Sequence, residues 1–235
     1  MMFTTRSCCI SVYGSVYMNV IFDMDGVIFD SERAYINAYK MLAPKYGMED
    51  FDVVHRACMD SIGVTRQKTK EIFFSYAGHE FDYDSYREDV QLELNKTEYE
   101  LKPGVYELFD WLKETEARVA LASSTREVSV RKSLGHAGLT EYFDQIVCGD
   151  MVSHSKPHPE IFLTAAERLD VDPATCYIIE DSFNGIRAAH ASGAHAIMVP
   201  DILQPDDEIR GLTEVVLPSL IEVREYLENI WKNEA

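Results

Sequence analysis

Short apolar runs alternate with longer stretches of helical periodicity from about Val20 onward. The runs NVIF, RVALA, QIVC, CYIIE and AIMV are four or five residues long, which predicts strands. Between and after them, the apolar spacing predicts helices over 105–114, 127–134, 160–169, 184–191 and 220–231, several with Ser, Thr or Asp near the start. Strand and helix taking turns predicts a parallel sheet covered by helices, an α/β core. The segment from about Arg33 to Leu101 breaks this rhythm. It holds no convincing strand and predicts helices over 34–46, 65–77 and 83–95. It reads as an all-helical insertion after the first strand, and LKPG at 101–104 supplies the Pro and Gly of a hinge or tight connection. The expected units are a core over 18–33 and 102–235 and an inserted cap over 34–101.

Composition narrows the class. Of 235 residues, 46% are hydrophobic, enough for a full core. Forty acidic residues against 22 basic ones leave a formal charge of −18, which repels nucleic acid and anionic membrane unless basic residues cluster, and no basic cluster is visible. A small anion remains compatible, because a metal ion and one or two placed cations dominate the local field. The five cysteines, Cys8, Cys9, Cys58, Cys148 and Cys176, form no CxxC pair, and their odd number does not suit a disulfide framework; a reducing cytoplasm is the expected location. No run of about 18 apolar residues is present to span a bilayer. The expectation is a soluble protein with neither nucleic acid nor membrane as partner; the sequence does not fix the oligomeric state, a monomer being favoured. Residues 1–17 carry one Arg and interrupted apolarity, a poor signal peptide. Translation is expected to begin at Met18, the alternative being a weakly ordered extension over 1–17.

In an open parallel sheet the ligand site lies beyond the carboxyl ends of the strands. After NVIF come Asp23 and Asp25, after VALA come Ser123, Ser124 and Thr125, and after CYII come Glu180 and Asp181. Lys156, in SKPHPEIF, lies in the loop that follows QIVCGD. Four distant loops would bring polar groups to one edge. Carboxylates from two loops can share a divalent cation, a hydroxyl and an ammonium can hold phosphoryl oxygens, and one Asp remains for attack. Mg²⁺ suits such an oxygen-rich site. Gly26 would let the chain turn away beneath a bound ligand.

These residues resemble a known family. DMDG with Asp23 and Asp25, Ser123 in ALASST, Lys156 in SKP and Glu180-Asp181 in IEDS match, in order, the four motifs of the haloacid dehalogenase superfamily of phosphotransferases. The helical insertion is similar to that superfamily's C1 cap, and GVIFDSE followed by KPG is similar to the β-phosphoglucomutase-like branch. The resemblance covers Met18 to the C-terminus. It implies a Rossmann-like, doubly wound core and a two-step phosphoryl transfer on a small phosphorylated metabolite, a sugar phosphate foremost. Asp23 would be the nucleophile and Asp25 the acid/base. Ser123 and Lys156 would stabilise the transferring group. Mg²⁺ would be held by Asp23, the backbone carbonyl of Asp25 and Asp181, with Glu180 in or just behind that set. Arg66 matches a cap loop that reaches toward the substrate, with Ser124 and Tyr35 as further substrate contacts.

Plainer readings stand beside these. Asp-Gly is a common turn dipeptide. Ser123, Ser124 and Thr125 suit the N-cap of the helix at Glu127, and Glu180-Asp181 suit the dipole of the helix that follows them. Arg66 could be an exposed first-turn residue. His154 and His158, flanking Lys156, are read as isolated histidines that need no metal. A phosphatase is the expected function. A mutase is the alternative, although that branch usually carries His where this chain has Tyr35, and Tyr cannot easily play a cationic role near pH 7. A non-catalytic binding protein is the third reading; it predicts a lost nucleophile, acid, lysine or metal ligand, and none is lost.

Overall fold

The computed structural model describes residues 18–62 and 66–234. Both readings of residues 1–17 concern positions outside that range. Among the described residues six strands form one parallel sheet: β1 (Asn19–Phe22), β2 (Arg118–Ser123), β3 (Gln145–Cys148), β4 (Cys176–Glu180), β5 (His195–Met198) and β6 (Val215–Val216). Their order is β3-β2-β1-β4-β5-β6. Each strand is followed by helix, so every crossover runs over a face of the sheet, as the alternation predicts. The core helices are α5 (Val105–Glu114), α6 (Glu127–His136), α7 (Glu160–Leu169), α8 (Phe183–Ala191), α9 (Asp207–Leu212) and α10 (Leu220–Glu234). With two faces buried, the strands need no polar alternation. Along β1, Val20 and Phe22 join the apolar layer under α5, α6 and α10, whereas Ile21 joins the opposite layer under α7, α8 and α9. All three are fully buried, each stabilising the fold by about 1.5–3 kcal/mol.

The insertion contains α1 (Ser31–Leu42), α2 (Phe51–Asp60), α3 (Arg66–Ala77) and α4 (Tyr83–Leu94). These helices close around a separate apolar cluster centred on Tyr39, Phe73, Tyr83 and Tyr86. The aromatic stretch between Ile72 and Tyr86 is therefore largely packing material. Two chain segments connect this unit to the core, and they pair with each other: Asp30 N donates to Glu100 O at 2.8 Å and Lys102 N to Ile28 O at 2.8 Å. Asp201, in the loop after β5, ties both to the sheet edge. Its Oδ1 accepts from Arg33 Nη1 at 2.8 Å and from Lys102 Nζ at 2.6 Å, and its side chain is 1% exposed. Truncating one partner of an enclosed pair costs about 3–5 kcal/mol, and the exposure of Arg33 screens part of that. Asp201→Ala is therefore expected to cost about 2 kcal/mol in denaturant unfolding at pH 7. An unchanged midpoint and slope would show that this clamp carries no weight.

Candidate active site

The strand order reverses direction between β1 and β4, so the loops after these two strands diverge and open a crevice at the carboxyl edge. Register pairs Phe22 with Ile179, so the next residues, Asp23 and Glu180, emerge side by side. Asp23 N extends the ladder by donating to Ile179 O at 2.9 Å. The chain then turns at Gly26, whose φ of +78° favours glycine. A Cβ there would lie 2.1 Å from Asp181 Oδ2, so the missing side chain is what lets that carboxylate rest against the turn.

Lys156 arrives from the loop before α7 and is 7% exposed. Its Nζ donates to Asp23 Oδ1 at 2.5 Å, Glu180 Oε1 at 2.7 Å and Ala122 O at 3.2 Å. The ammonium also sits 4.8 Å from the centre of the Phe162 ring. Glu180 Oε2 accepts from Ser182 N at 2.7 Å and Ser182 Oγ at 2.9 Å, so both its oxygens are held. Gly185 makes room for this, since a Cβ there would fall 1.8 Å from the Glu180 carboxylate. Asp25 Oδ2 accepts from Thr125 Oγ1 at 2.7 Å. Ser123 ends β2 fully buried, and its Oγ accepts from Thr125 N at 3.0 Å.

Above these groups lies a cavity of about 280 Å³, lined by Asp23, Asp25, Ser124, Lys156, Glu180 and Asp181 from the core and by Glu32 and Ile62 from the insertion. The ligand atoms of Asp23, Glu180 and Asp181 converge within 4.8 Å of one another. Lys156 alone cannot neutralise this much buried carboxylate, and the Arg187 guanidinium on the cavity wall is engaged by Glu208. Burial pushes Asp23 up to about 8 against the pull of Lys156, and the Glu180 and Asp25 charges add to the rise. Desolvation, then the charges of Glu180 and Asp23, raise Asp181 as well. Burial would lower Lys156, but Asp23 and Glu180 together hold it above its ordinary value. Buried, all-oxygen and short of positive charge, the donor set fits a divalent cation of the Mg²⁺ type.

The structure thus brings Asp23, Asp25, Lys156, Glu180 and Asp181 to one crevice and puts Ser124 on its wall, with Ser123 buried just beneath. Tyr35 does not line the cavity: it packs in the helical insertion, its ring centre 4.6 Å from that of Tyr39. Arg66 is the first residue of α3, and its side chain lies outside the described residues. Three contributors were not assigned roles from the sequence. Glu32 sits in the first turn of α1 and reaches the cavity, where burial and then the charges of Asp25 and Asp201 raise it to about 7. Thr125 orients Asp25, and Ser182 orients Glu180. IEDS already contains the Ser182 signal, because Ser two residues after Glu at a strand-to-helix turn is placed to cap; it also accepts from Gly185 N at 3.0 Å. His154 and His158 are not isolated. They meet Glu160 on the outer side of the Lys156 loop.

Comparison with known proteins places the chain within a family. The haloacid dehalogenase-like hydrolase family matches residues 20–199. The chain is 33% identical to a phosphorylated carbohydrates phosphatase of Thermotoga maritima, over 88% of this chain and 95% of that protein. It is also 33% identical to a β-phosphoglucomutase of Bacillus subtilis, over 86% and 93%. A solved haloacid dehalogenase family hydrolase from Deinococcus radiodurans, with bound phosphate and sodium, superposes with a TM-score of 0.76 at 25% identity, covering 92% of this chain and 96% of that one. With the match spanning all four strand-end loops, this chain belongs to the haloacid dehalogenase-like hydrolases.

Proposed function

We propose that the protein is a Mg²⁺-dependent phosphatase of a small phosphorylated metabolite, a sugar phosphate foremost, working through an aspartyl phosphate on Asp23. The observation that carries this reading is the convergence of Asp23, Glu180 and Asp181, with Lys156 bridging the first two, at the floor of a cavity of metabolite size. The Asp23 carboxylate attacks phosphorus as the bond to the substrate oxygen breaks. Asp25 gives that oxygen a proton and then takes one from the water that hydrolyses the phosphoenzyme. Its bond from Thr125 fixes one carboxylate oxygen and leaves the other for this transfer. The Ser123 Oγ accepts from the backbone, which leaves its proton for a phosphoryl oxygen. Lys156 offsets charge on Asp23 and on the transferring group. Asp23, the Asp25 carbonyl and Asp181 would hold Mg²⁺, which when bound neutralises the carboxylates and polarises phosphoryl oxygens. Because Glu180 commits both oxygens to Lys156 and Ser182, it suits a place behind those ligands.

A mutase needs the phosphoenzyme to survive until sugar returns. Tyr35 stands where the mutase branch usually carries His, but a phenol supplies no cation and this one packs against Tyr39 inside the insertion, which favours water as acceptor. The test is a screen of phosphorylated metabolites with and without Mg²⁺, scoring free phosphate and sugar isomerisation in parallel. Phosphate release that needs Mg²⁺ supports the phosphatase; isomerisation without release would replace it by the mutase of the Bacillus subtilis relative. Asp25→Asn is expected to lower kcat by about 10²-fold or more, the scale of acid/base loss, and an unchanged rate at saturation would contradict its role.

The charge excess also sets a pH dependence. Asp23 at about 8 and Glu32 at about 7 stand above their ordinary values of 3.8 and 4.5, and Asp181 moves the same way. The folded, metal-free chain therefore holds protons that the unfolded chain releases. Their contribution to stability is present below about pH 4 and is lost as pH rises to about 8. Added Mg²⁺ replaces the protons on its ligands, so the rise in Tm caused by Mg²⁺ is expected to be larger at pH 8 than at pH 6. An equal or smaller rise at pH 8 would contradict this electrostatic picture.

A further inference from the structure

We propose that His154, His158 and Glu160 form a second metal site, separate from the carboxylate centre, that takes a first-row transition-metal ion of the Zn²⁺ class and clamps the loop carrying Lys156.

The three side chains offer ligand atoms that all lie within 4.8 Å of one another. Glu160 Oε2 is 2.7 Å from His154 Nδ1 and 4.0 Å from His158 Nδ1. Donors about 2.0–2.1 Å from a tetrahedral ion stand roughly 3.3 Å apart. The two observed separations bracket that value, so shifts of under about an ångström close the site. The imidazoles face each other with ring centres 4.5 Å apart and a 31° tilt, and the residues around them line a shallow surface depression. Part of the site is held in place already: Glu160 accepts from Ser153 N and from His154 N, each at 2.8 Å, independently of any ion. An ion would take the place of the proton between His154 Nδ1 and Glu160, the neutral ring then carrying its proton on solvent-facing Nε2, and draw in His158 by breaking its 3.3 Å contact with Glu160 N. Water would complete the coordination.

Two imidazole nitrogens and one carboxylate oxygen select Zn²⁺, Cu²⁺ or Ni²⁺ over Mg²⁺, which prefers oxygen alone. The two sites therefore differ in chemistry as well as position. The loop bends and turns through these residues, so that Lys156 is turned inward at 7% exposure, while His154 and His158 face out at 65% and 51%. The ligands thus bracket Lys156 in sequence and join its loop to the first turn of α7 from outside. Occupation would restrain the loop without touching the cavity.

The test uses the full chain, uniformly ¹⁵N-labelled, with Mg²⁺ in excess and Zn²⁺ as the probe. Zn²⁺ is expected to shift the imidazole resonances of two of the seven histidines and to raise Tm. His154→Asn and His158→Asn should each weaken the Kd for Zn²⁺ at the shifted resonances by at least about 10-fold, since even outer partners of metal ligands cost that much. The double variant should lose the Zn²⁺-induced rise in Tm, yet keep the Mg²⁺-induced rise and Mg²⁺-dependent turnover. If the double variant loses its Mg²⁺ response and so reports misfolding, His158→Asn decides alone, because it leaves the His154–Glu160 bond intact. Imidazole resonances that stay still under a tenfold excess of Zn²⁺ would overturn the proposal. So would a Zn²⁺ affinity unchanged by His158→Asn. Neither outcome bears on the phosphatase reading, which rests on the other site.

Discussion

Asp23→Asn is expected to fold normally and to lose turnover by about 10⁴-fold or more, the scale reached when a covalent nucleophile is removed. The amide has the shape of the carboxylate but cannot form the acyl phosphate. The fold should tolerate the change for a reason visible in the site. Burial pushes the Asp23 carboxyl up to about 8, so its ionised form costs free energy that a neutral amide does not. Lys156 keeps Glu180 Oε1 at 2.7 Å and the Ala122 carbonyl at 3.2 Å as partners. Phosphate release and thermal unfolding measured in one buffer separate the two effects. A wild-type rate in a clean preparation would end the nucleophile assignment, and a fall of many degrees in Tm would show that Asp23 is needed for folding instead.

Lys156→Met should give the largest loss of stability among changes in the crevice. Met is unbranched and one atom shorter than Lys, so it enters the same space without a clash and removes the ammonium that sits over the Phe162 ring. What disappears is the one ammonium bridging Asp23 and Glu180, whose side chains are 8% and 1% exposed. Stranding buried charges in this way costs about 3–5 kcal/mol. Protonation of the carboxyls limits the loss, so about 3 kcal/mol is expected at pH 7 for the metal-free variant, with less at pH 5. Turnover should also fall by about 10²–10³-fold, as when one donor to a developing anion is deleted. Urea unfolding at both pH values checks the first part. Stability equal to that of the wild-type protein would mean that the pair contributes no net free energy.

How much of this was legible in the sequence differs from element to element. The five strands NVIF, RVALA, QIVC, CYIIE and AIMV stand within one residue of their observed bounds, because a strand buried on both faces must be continuously apolar. β6 escaped notice: Val215–Val216 is too short to have a period. α2 was legible, since Phe51, Val54, Ala57 and Cys58 stand at helical spacing behind the Asp50 N-cap, which accepts from Asp52 N and Val53 N, yet it is not among the helices predicted from the sequence. The six-residue α9 is announced only by its Asp206 cap. In the site, residues directly after strands were legible because parallel topology sends every strand end to one edge. Contacts made by side-chain direction were not. Thr125 and Asp25 are 100 residues apart, and only the packing of β1 against β2 brings them to 2.7 Å. Glu32 looks like an ordinary acidic first-turn residue until α1 is placed over the crevice. Tyr35 shows the converse: its place in the chain suggests a substrate contact, but its side of α1 faces Tyr39 and the insertion's own core.

The central claim is covalent: the phosphoryl group passes through Asp23. The most direct test is to quench the wild-type enzyme with acid during turnover of its best substrate, reduce the trapped acyl phosphate with borohydride, and map the product by peptide mass spectrometry. Homoserine at position 23, dependent on both substrate and Mg²⁺ and absent from Asp23→Asn, is the expected result. Reduction at Asp25 or Asp181, or steady turnover with no modified carboxylate at any position, would contradict the account.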